Sequence, residues 1–224
     1  MDSPTRLVLM TPEFFDAGFN GGFKEASEGE MYLPEDDPTA VADLIEYLYR
    51  GSLPHYTEED GSNEKVRNLY YLAEKIGMSS LMDKLMDMIA VPRIRRTGNL
   101  IGYGPWAIKA VYDHTHEESK LRLFVSAVNV FKLGHQGNNK DWMDNRAKLL
   151  HSNPEFFHDM FKLLGKHGKQ VWVKKSDDKA FVAAFERCYF HVHGPDEECY
   201  AKLDDENQVD SEEGTESEGA DTSD

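Results

Sequence analysis

Apolar residues recur at helical spacing along most of this chain. One stripe begins after Asp37 and Pro38, a favourable N-cap and first helical residue, and Gly51 ends it. A second stripe ends at Gly77, and a third opens with Ser80 and Asp83, which resemble a capping box. The pattern predicts three consecutive helices sharing one core, in which two sets of residues pack together: Val41, Leu44, Ile45 and Leu48 against Leu69, Tyr70, Ala73 and Leu85.

One short segment has the two-residue period of a strand instead. Met31 and Leu33 alternate with Tyr32, and Pro34 follows, so a single strand is predicted over Glu30–Leu33. Upstream of it, three Phe side chains at helical spacing and a Gly21-Gly22 pair predict a short helix and its end. The predicted fold class is therefore mostly α (α+β), a helical cluster with a residual small sheet.

The second half of the chain predicts a further helical region. Helices are expected from Pro105, over Trp142–Leu150, from Asn153-Pro154 and over Ala180–Tyr189. The segment 121–131 also has helical spacing, but its β-branched residues leave a strand as the competing interpretation. We expect three parts, namely residues 1–96, residues 104–200 and a tail of residues 201–224.

Charge is concentrated at the C-terminus. Residues 196–224 contain 13 Asp or Glu and one Lys, so they carry −12 of the net −16 and leave −4 for residues 1–195. With almost no large apolar groups, the tail is predicted to be disordered. Neither part has the basic footprint of a nucleic-acid binder. No apolar run approaches the ~18 residues of a membrane span, and a chain with two Cys and no secretory signal is expected in the cytoplasm or nucleus.

The order of the N-terminal signals resembles the central part of a BTB/POZ domain, in the version common among fungal proteins. The residues that carry this resemblance are Phe14–Ala26, Leu33–Pro38 and Leu44–Gly51. The resemblance covers roughly residues 7–90, and residues 104–200 resemble the helical extension that often follows. It implies a non-enzymatic protein–protein interaction module. No Gly-x-Ser-x-Gly, P-loop, Gly-x-Gly-x-x-Gly or His-Glu-x-x-His motif points to catalysis.

Two kinds of protein partner follow from the resemblance. Members of the family commonly homodimerise through the first helix and the segment before it, which implies an interaction surface near Phe14, Phe19 and Phe23. Some members bridge substrates to a cullin-type ubiquitin ligase through an apolar-x-Glu element. Tyr56-Thr57-Glu58 fits that spacing, although a solvated loop is the commoner reading of such a segment, so Tyr56 and Glu58 join the expected surface.

The resemblance departs from the family at the N-terminus. In the family, two strands and a His-containing loop precede the first helix, whereas here Met1 falls just before that helix. We interpret the chain as a shortened gene model or splice form, in preference to a natural short form. The Phe residues of the first helix are then expected to form an exposed apolar patch and to associate weakly.

The best candidate chemistry is a metal site. Cys188, His191, His193 and Cys199 offer the ligand types of a tetrahedral Cys₂His₂ zinc site, with Cys188 and His191 one turn apart if the last helix continues. The competing interpretation is a buried Cys188 with solvent-facing His residues at a helix end. If zinc binds, the second candidate function is a small zinc-stabilised structural domain.

Overall fold

The computed structural model describes residues 13–56, 62–95, 100–149, 151–172, 177–194 and 197–199. These residues form ten α-helices and one 3₁₀ turn. The helices are α1 (Glu13–Asn20), α2 (Lys24–Glu28), α3 (Pro38–Arg50), α4 (Ser62–Lys75), α5 (Ser79–Arg95), α6 (Pro105–His114), α7 (Lys120–Gln136), α8 (Lys140–Ala147), α9 (Pro154–Val171) and α10 (Asp177–Ala184), and the 3₁₀ turn is Arg187–Phe190.

The mostly helical prediction is confirmed, but the residual sheet is not seen in the described part of the chain. Residues 30–33 have no regular structure, and a turn follows in which Asp36 N donates to Leu33 O at 3.4 Å. Tyr32 is exposed. A short segment with a two-residue apolar period forms a strand only where a neighbouring strand pairs with its backbone. The described residues contain no such neighbouring strand.

Helices α3, α4 and α5 pack in succession, as their apolar stripes predict. The start of α3 follows the sequence signals closely, because Asp37 Oδ1 accepts hydrogen bonds from Thr39 N and Ala40 N at 2.9 and 3.0 Å. Gly51 ends the helix at a φ of 71°, a left-handed conformation that favours glycine. Seven members of the predicted core are buried or packed against it, namely Val41, Leu44, Leu48, Leu69, Tyr70, Ala73 and Leu85.

Ile45 is the exception in that predicted core. Half of its surface is exposed, whereas Leu44 beside it is 1% exposed. The partners of α3 lie against only part of its apolar stripe, so the edge of the stripe at Ile45 faces solvent. Tyr49, one turn later, is exposed as well.

The second half is built around α7. This helix contacts α6, α9, α10 and the 3₁₀ turn, and most of its side chains are buried. Its continuous backbone helix excludes the strand interpretation of residues 121–131. A cluster of aromatic rings lies between α7, α10 and the 3₁₀ turn, with neighbouring centroids 4.9 to 6.0 Å apart: Phe124, Phe131, Phe181, Phe185 and Phe190.

The two halves share one hydrophobic core, which runs from Ala40 to Phe190, and α10 contacts α5 directly. None of the described helices combines the length and the apolar composition that crossing a bilayer requires. The predicted acidic tail lies outside the described residues.

Candidate metal centre

Four potential metal ligands converge at the C-terminal end of the described chain. Cys188 belongs to the 3₁₀ turn, and His191, His193 and Cys199 follow it. One ligand atom from each residue lies within 4.8 Å of all the others. His191 and Cys199 are buried, and Cys188 and His193 are half-buried. The structure therefore brings together all four residues that the sequence singled out.

The hydrogen bonds of His191 define how its ring is oriented. Its Nε2 atom lies 3.1 Å from Oδ1 of Asp87 on α5, and its Nδ1 atom lies 3.5 Å from Sγ of Cys199. A carboxylate accepts hydrogen bonds only, so we assign the proton to Nε2, which donates to Asp87. In the neutral imidazole the lone pair is then on Nδ1 and points toward the cluster.

His193 is oriented by a backbone oxygen. Its Nδ1 atom lies 3.1 Å from the carbonyl oxygen of Gly194, and its Nε2 atom lies 3.3 Å from Nδ1 of His191. Because a carbonyl can only accept, Nδ1 carries the proton and Nε2 is the acceptor nitrogen. Gly194 N donates to Glu197 Oε2 at 3.0 Å, which ties the loop to the segment leading to Cys199.

A second carboxylate from α5 holds the backbone of this loop. Asp83 is buried, and its two oxygens accept from Val192 N at 2.5 Å and from His193 N at 3.4 Å. The capping-box interpretation of Asp83 misses this role, because the aspartate lies within α5 and reaches across to a segment about a hundred residues later. Asp83 and Asp87 stand four residues apart, so they share one face of the helix.

The acidic surroundings also act on the protonation of His191. Burial disfavours the imidazolium, but the hydrogen bond and charge of Asp87, with the charge of Asp83, leave the pKa of His191 raised above its ordinary value. The two aspartates therefore favour a positive charge at the ring of His191.

The sequence predicts one helix over Ala180–Tyr189 that carries Cys188, and this prediction is wrong about where the helix ends. Helix α10 ends at Ala184 rather than at Tyr189, and Cys188 and His191 are joined by a 3₁₀ turn, with His191 N donating to Cys188 O at 3.0 Å. Phe185 and Phe190 both enter the aromatic cluster, so the chain between them turns tightly instead of continuing as an α-helix.

Sequence reasoning missed Asp83 as a loop anchor and Asp87 altogether. A local signal exists, since two carboxylates stand four residues apart on a helix that is otherwise rich in Leu and Met. This pattern indicates that the two carboxylates have a polar partner inside the fold, but it does not identify that partner.

The residues of the expected interaction surface differ in exposure. Phe14 is half-buried and packs against the core, whereas Phe19 and Phe23 are exposed. Tyr56 is half-buried, and its hydroxyl donates to Asp43 Oδ2 at 2.9 Å. Glu58 lies outside the described residues.

Comparison with known proteins adds one match. Residues 5–91 match the family model of the BTB/POZ domain, a segment that spans α1 to most of α5. The family resemblance read from the sequence is thereby confirmed for this segment. No curated protein and no solved structure gives a significant match to the chain.

Proposed function

We propose, from the membership of residues 5–91 in the BTB/POZ domain family, that this chain is a non-enzymatic interaction module that pairs with a second copy of itself through α1. A BTB/POZ domain is typically a protein–protein interaction module, so the class of partner is another protein. The exposed aromatic surface at α1 supports a homodimer formed through that helix.

The exposure of two phenylalanines carries the proposal. Phe19 at the end of α1 is 40% exposed, and Phe23 at the start of α2 is 63% exposed. Phe19 lies on the helix that the family resemblance assigns to the dimer face, and Phe23 follows the end of that helix. Exposed aromatic rings are costly in water and are typical of the buried centre of an interface.

Packed aromatic residues anchor the start of α1. Phe14 and Phe15 pack against the core, and their rings meet edge to face with centroids 5.4 Å apart. A helix anchored in this way presents the exposed ring at its other end with less loss of conformational freedom on binding.

The free energies that favour and oppose association are similar in size, which favours a weak dimer. Complete burial of one Phe contributes about 1.5–3 kcal/mol, and a two-fold interface would bury four partly exposed rings. Association costs about 4–15 kcal/mol in lost freedom of motion. We therefore expect self-association that depends on protein concentration.

Sedimentation equilibrium over a range of concentrations tests this proposal. The chain should show a monomer–dimer equilibrium, and the Phe19→Asp/Phe23→Asp variant should remain monomeric. Phe161→Asp is the matched control, because Phe161 on α9 is 68% exposed and lies outside the proposed face. A monomer at every concentration, or equal disruption by Phe161→Asp, would contradict a dimer through α1.

A cullin-type scaffold stays a prediction from the resemblance. Tyr56 is engaged by Asp43 and packs against the core, so its ring offers only part of its surface to a partner. A pull-down with a purified cullin N-terminal domain tests it. Binding that Tyr56→Ala and Glu58→Ala both weaken would support the adaptor role, and absence of binding would contradict it.

A further inference from the structure

We propose that Cys188, His191, His193 and Cys199 bind one Zn²⁺ ion, and that this ion fixes the C-terminal segment to helix α5 of the BTB/POZ segment. The inference is independent of the α1 dimer, since it concerns the opposite end of the chain.

Two of the separations between ligand atoms already fit a tetrahedral zinc site. Bond lengths of about 2.0–2.1 Å to nitrogen and about 2.3 Å to sulfur separate the ligand atoms of such a site by roughly 3.3–3.8 Å. Nδ1 of His191 lies 3.3 Å from Nε2 of His193 and 3.5 Å from Sγ of Cys199. The widest pairs, within 4.8 Å, need to approach by roughly 1 Å for the set to close around an ion.

The orientation of the two imidazoles also indicates a cation. Asp87 accepts a hydrogen bond from Nε2 of His191, and the Gly194 carbonyl accepts one from Nδ1 of His193. Each ring then directs a lone pair at the other across 3.3 Å. Two such lone pairs repel each other unless a positive centre, a proton or a metal ion, lies between them, and only a metal ion there can bind the two thiolates as well.

The ligand chemistry favours zinc among the common metals. Two thiolates and two imidazoles match the Cys₂His₂ set of structural zinc sites, whereas magnesium and calcium prefer oxygen ligands. Four protein ligands complete a tetrahedron and leave no open position for a substrate. The site is therefore structural and not catalytic.

The outer contacts of the site link two distant parts of the chain. Asp87 accepts from His191, and Asp83 accepts from the backbone of Val192 and His193, and both aspartates belong to α5. A carboxylate that accepts from a metal-bound His fixes its ring and strengthens it as a ligand. Zinc binding therefore stabilises the contact between α5 and the segment of His191, Val192 and His193, and metal loss weakens it.

Metal content of the purified full chain is the first test. We expect about one zinc per chain, with loss of most of it in Cys199→Ser. Cobalt substitution should give the intense visible bands of tetrahedral thiolate-bound Co²⁺. Absence of zinc together with no such bands on cobalt addition would overturn the proposal, as would full zinc content in Cys199→Ser.

A second variant tests the proposal even if Cys199→Ser does not fold. Asp87→Asn leaves all four ligands intact and should lower zinc affinity about 10–100-fold, measured by competition with a chromogenic chelator. Glu186→Gln is the matched control, because Glu186 is an exposed carboxylate near the cluster that is not among the proposed ligands. Equal affinity of Asp87→Asn and Glu186→Gln would contradict the outer-contact role of Asp87.

Hydrogen exchange with and without zinc tests the structural consequence. Chelation should raise the exchange of Val192 and His193 amides and of the α5 turn around Asp83 and Asp87, and should leave α9 unchanged. Bound zinc without any change in exchange at these amides would show that the ion does not fix the segment to α5.

Discussion

Nε2 of His191 lies 3.1 Å from Oδ1 of Asp87, although 104 positions separate the two residues in the sequence. This contact joins a helix of the BTB/POZ segment to a loop near the C-terminus. It also sets the orientation of the imidazole, since the nitrogen that faces Asp87 must donate. One hydrogen bond thus connects the family-defined part of the chain with the candidate metal centre.

Leu44 should be a large contributor to the stability of the N-terminal helices. It is 1% exposed on α3 within the shared core. Leu44→Ala should reduce the free energy of unfolding by about 2–5 kcal/mol, because it removes buried methyl groups and leaves a cavity. Urea denaturation followed by circular dichroism measures it.

Ile45 provides the matched control for that experiment. It is the next residue on the same helix and is half exposed. Ile45→Ala should cost much less than Leu44→Ala. Similar losses in the two variants would show that the observed burial does not describe the packing of α3.

Arg122 should stabilise the corner between α6, α7 and α9. Its guanidinium donates to Thr115 Oγ1 at 3.1 Å, to Tyr112 O at 2.7 Å, to Thr115 O and to Glu155 Oε2. Glu155 is mostly exposed, so this ion pair contributes little, whereas the buried carbonyls need their donor.

Arg122→Lys should therefore destabilise the fold by about 1–3 kcal/mol, because an ammonium lacks the planar fork that reaches all these acceptors. Arg50→Lys is the control, since Arg50 is exposed and pairs only within its own helix turn among the contacts described. Thermal melting compares the two. An unchanged melting temperature in Arg122→Lys would contradict a role for the buried contacts.

Glu74 should make stability depend on pH. Burial raises the pKa of its carboxyl, and contacts with Ser119 and His116 offset this only in part. The folded state thus holds the proton more tightly than the unfolded chain. This contribution to stability is present below the ordinary glutamate pKa of about 4.3 and is lost as the pH rises through the raised value.

Glu74→Gln should remove that dependence, so the variant should gain stability relative to the natural chain as the pH rises above the ordinary glutamate pKa of about 4.3. Taking the difference between the two proteins at each pH cancels the effect of acid on the other groups. Glu64→Gln, at an exposed position of the same helix, should show no such trend. A difference that stays constant with pH would argue against a raised pKa for Glu74.

The acidic tail is predicted to be dispensable for folding. Residues 203–224 contain acidic and small polar residues with almost no large apolar groups. Their removal should leave the melting temperature unchanged. A large decrease on truncation would instead mean that the tail docks on the helical body, and a proteolysis time course on the full chain would then show a protected C-terminus.

The sequence by itself determined the features that depend on neighbouring residues. Asp37, Pro38 and Gly51 set the ends of α3, because caps act within one turn of the helix. The apolar periodicity identified the successive helices, and the spacing of Cys and His identified all four residues of the candidate metal centre. The BTB/POZ resemblance likewise rests on local signals in a fixed order.

Only the tertiary structure decided which faces meet. Periodicity gives the width of an apolar stripe but not the position of its partner, so Leu44 is buried and Ile45 is not. The strand predicted at residues 30–33 needs a partner, which local sequence does not specify. Asp83 and Asp87 gain their roles from a loop about a hundred residues away, because hydrogen bonds across a fold depend on the packing of α5 against the C-terminal segment.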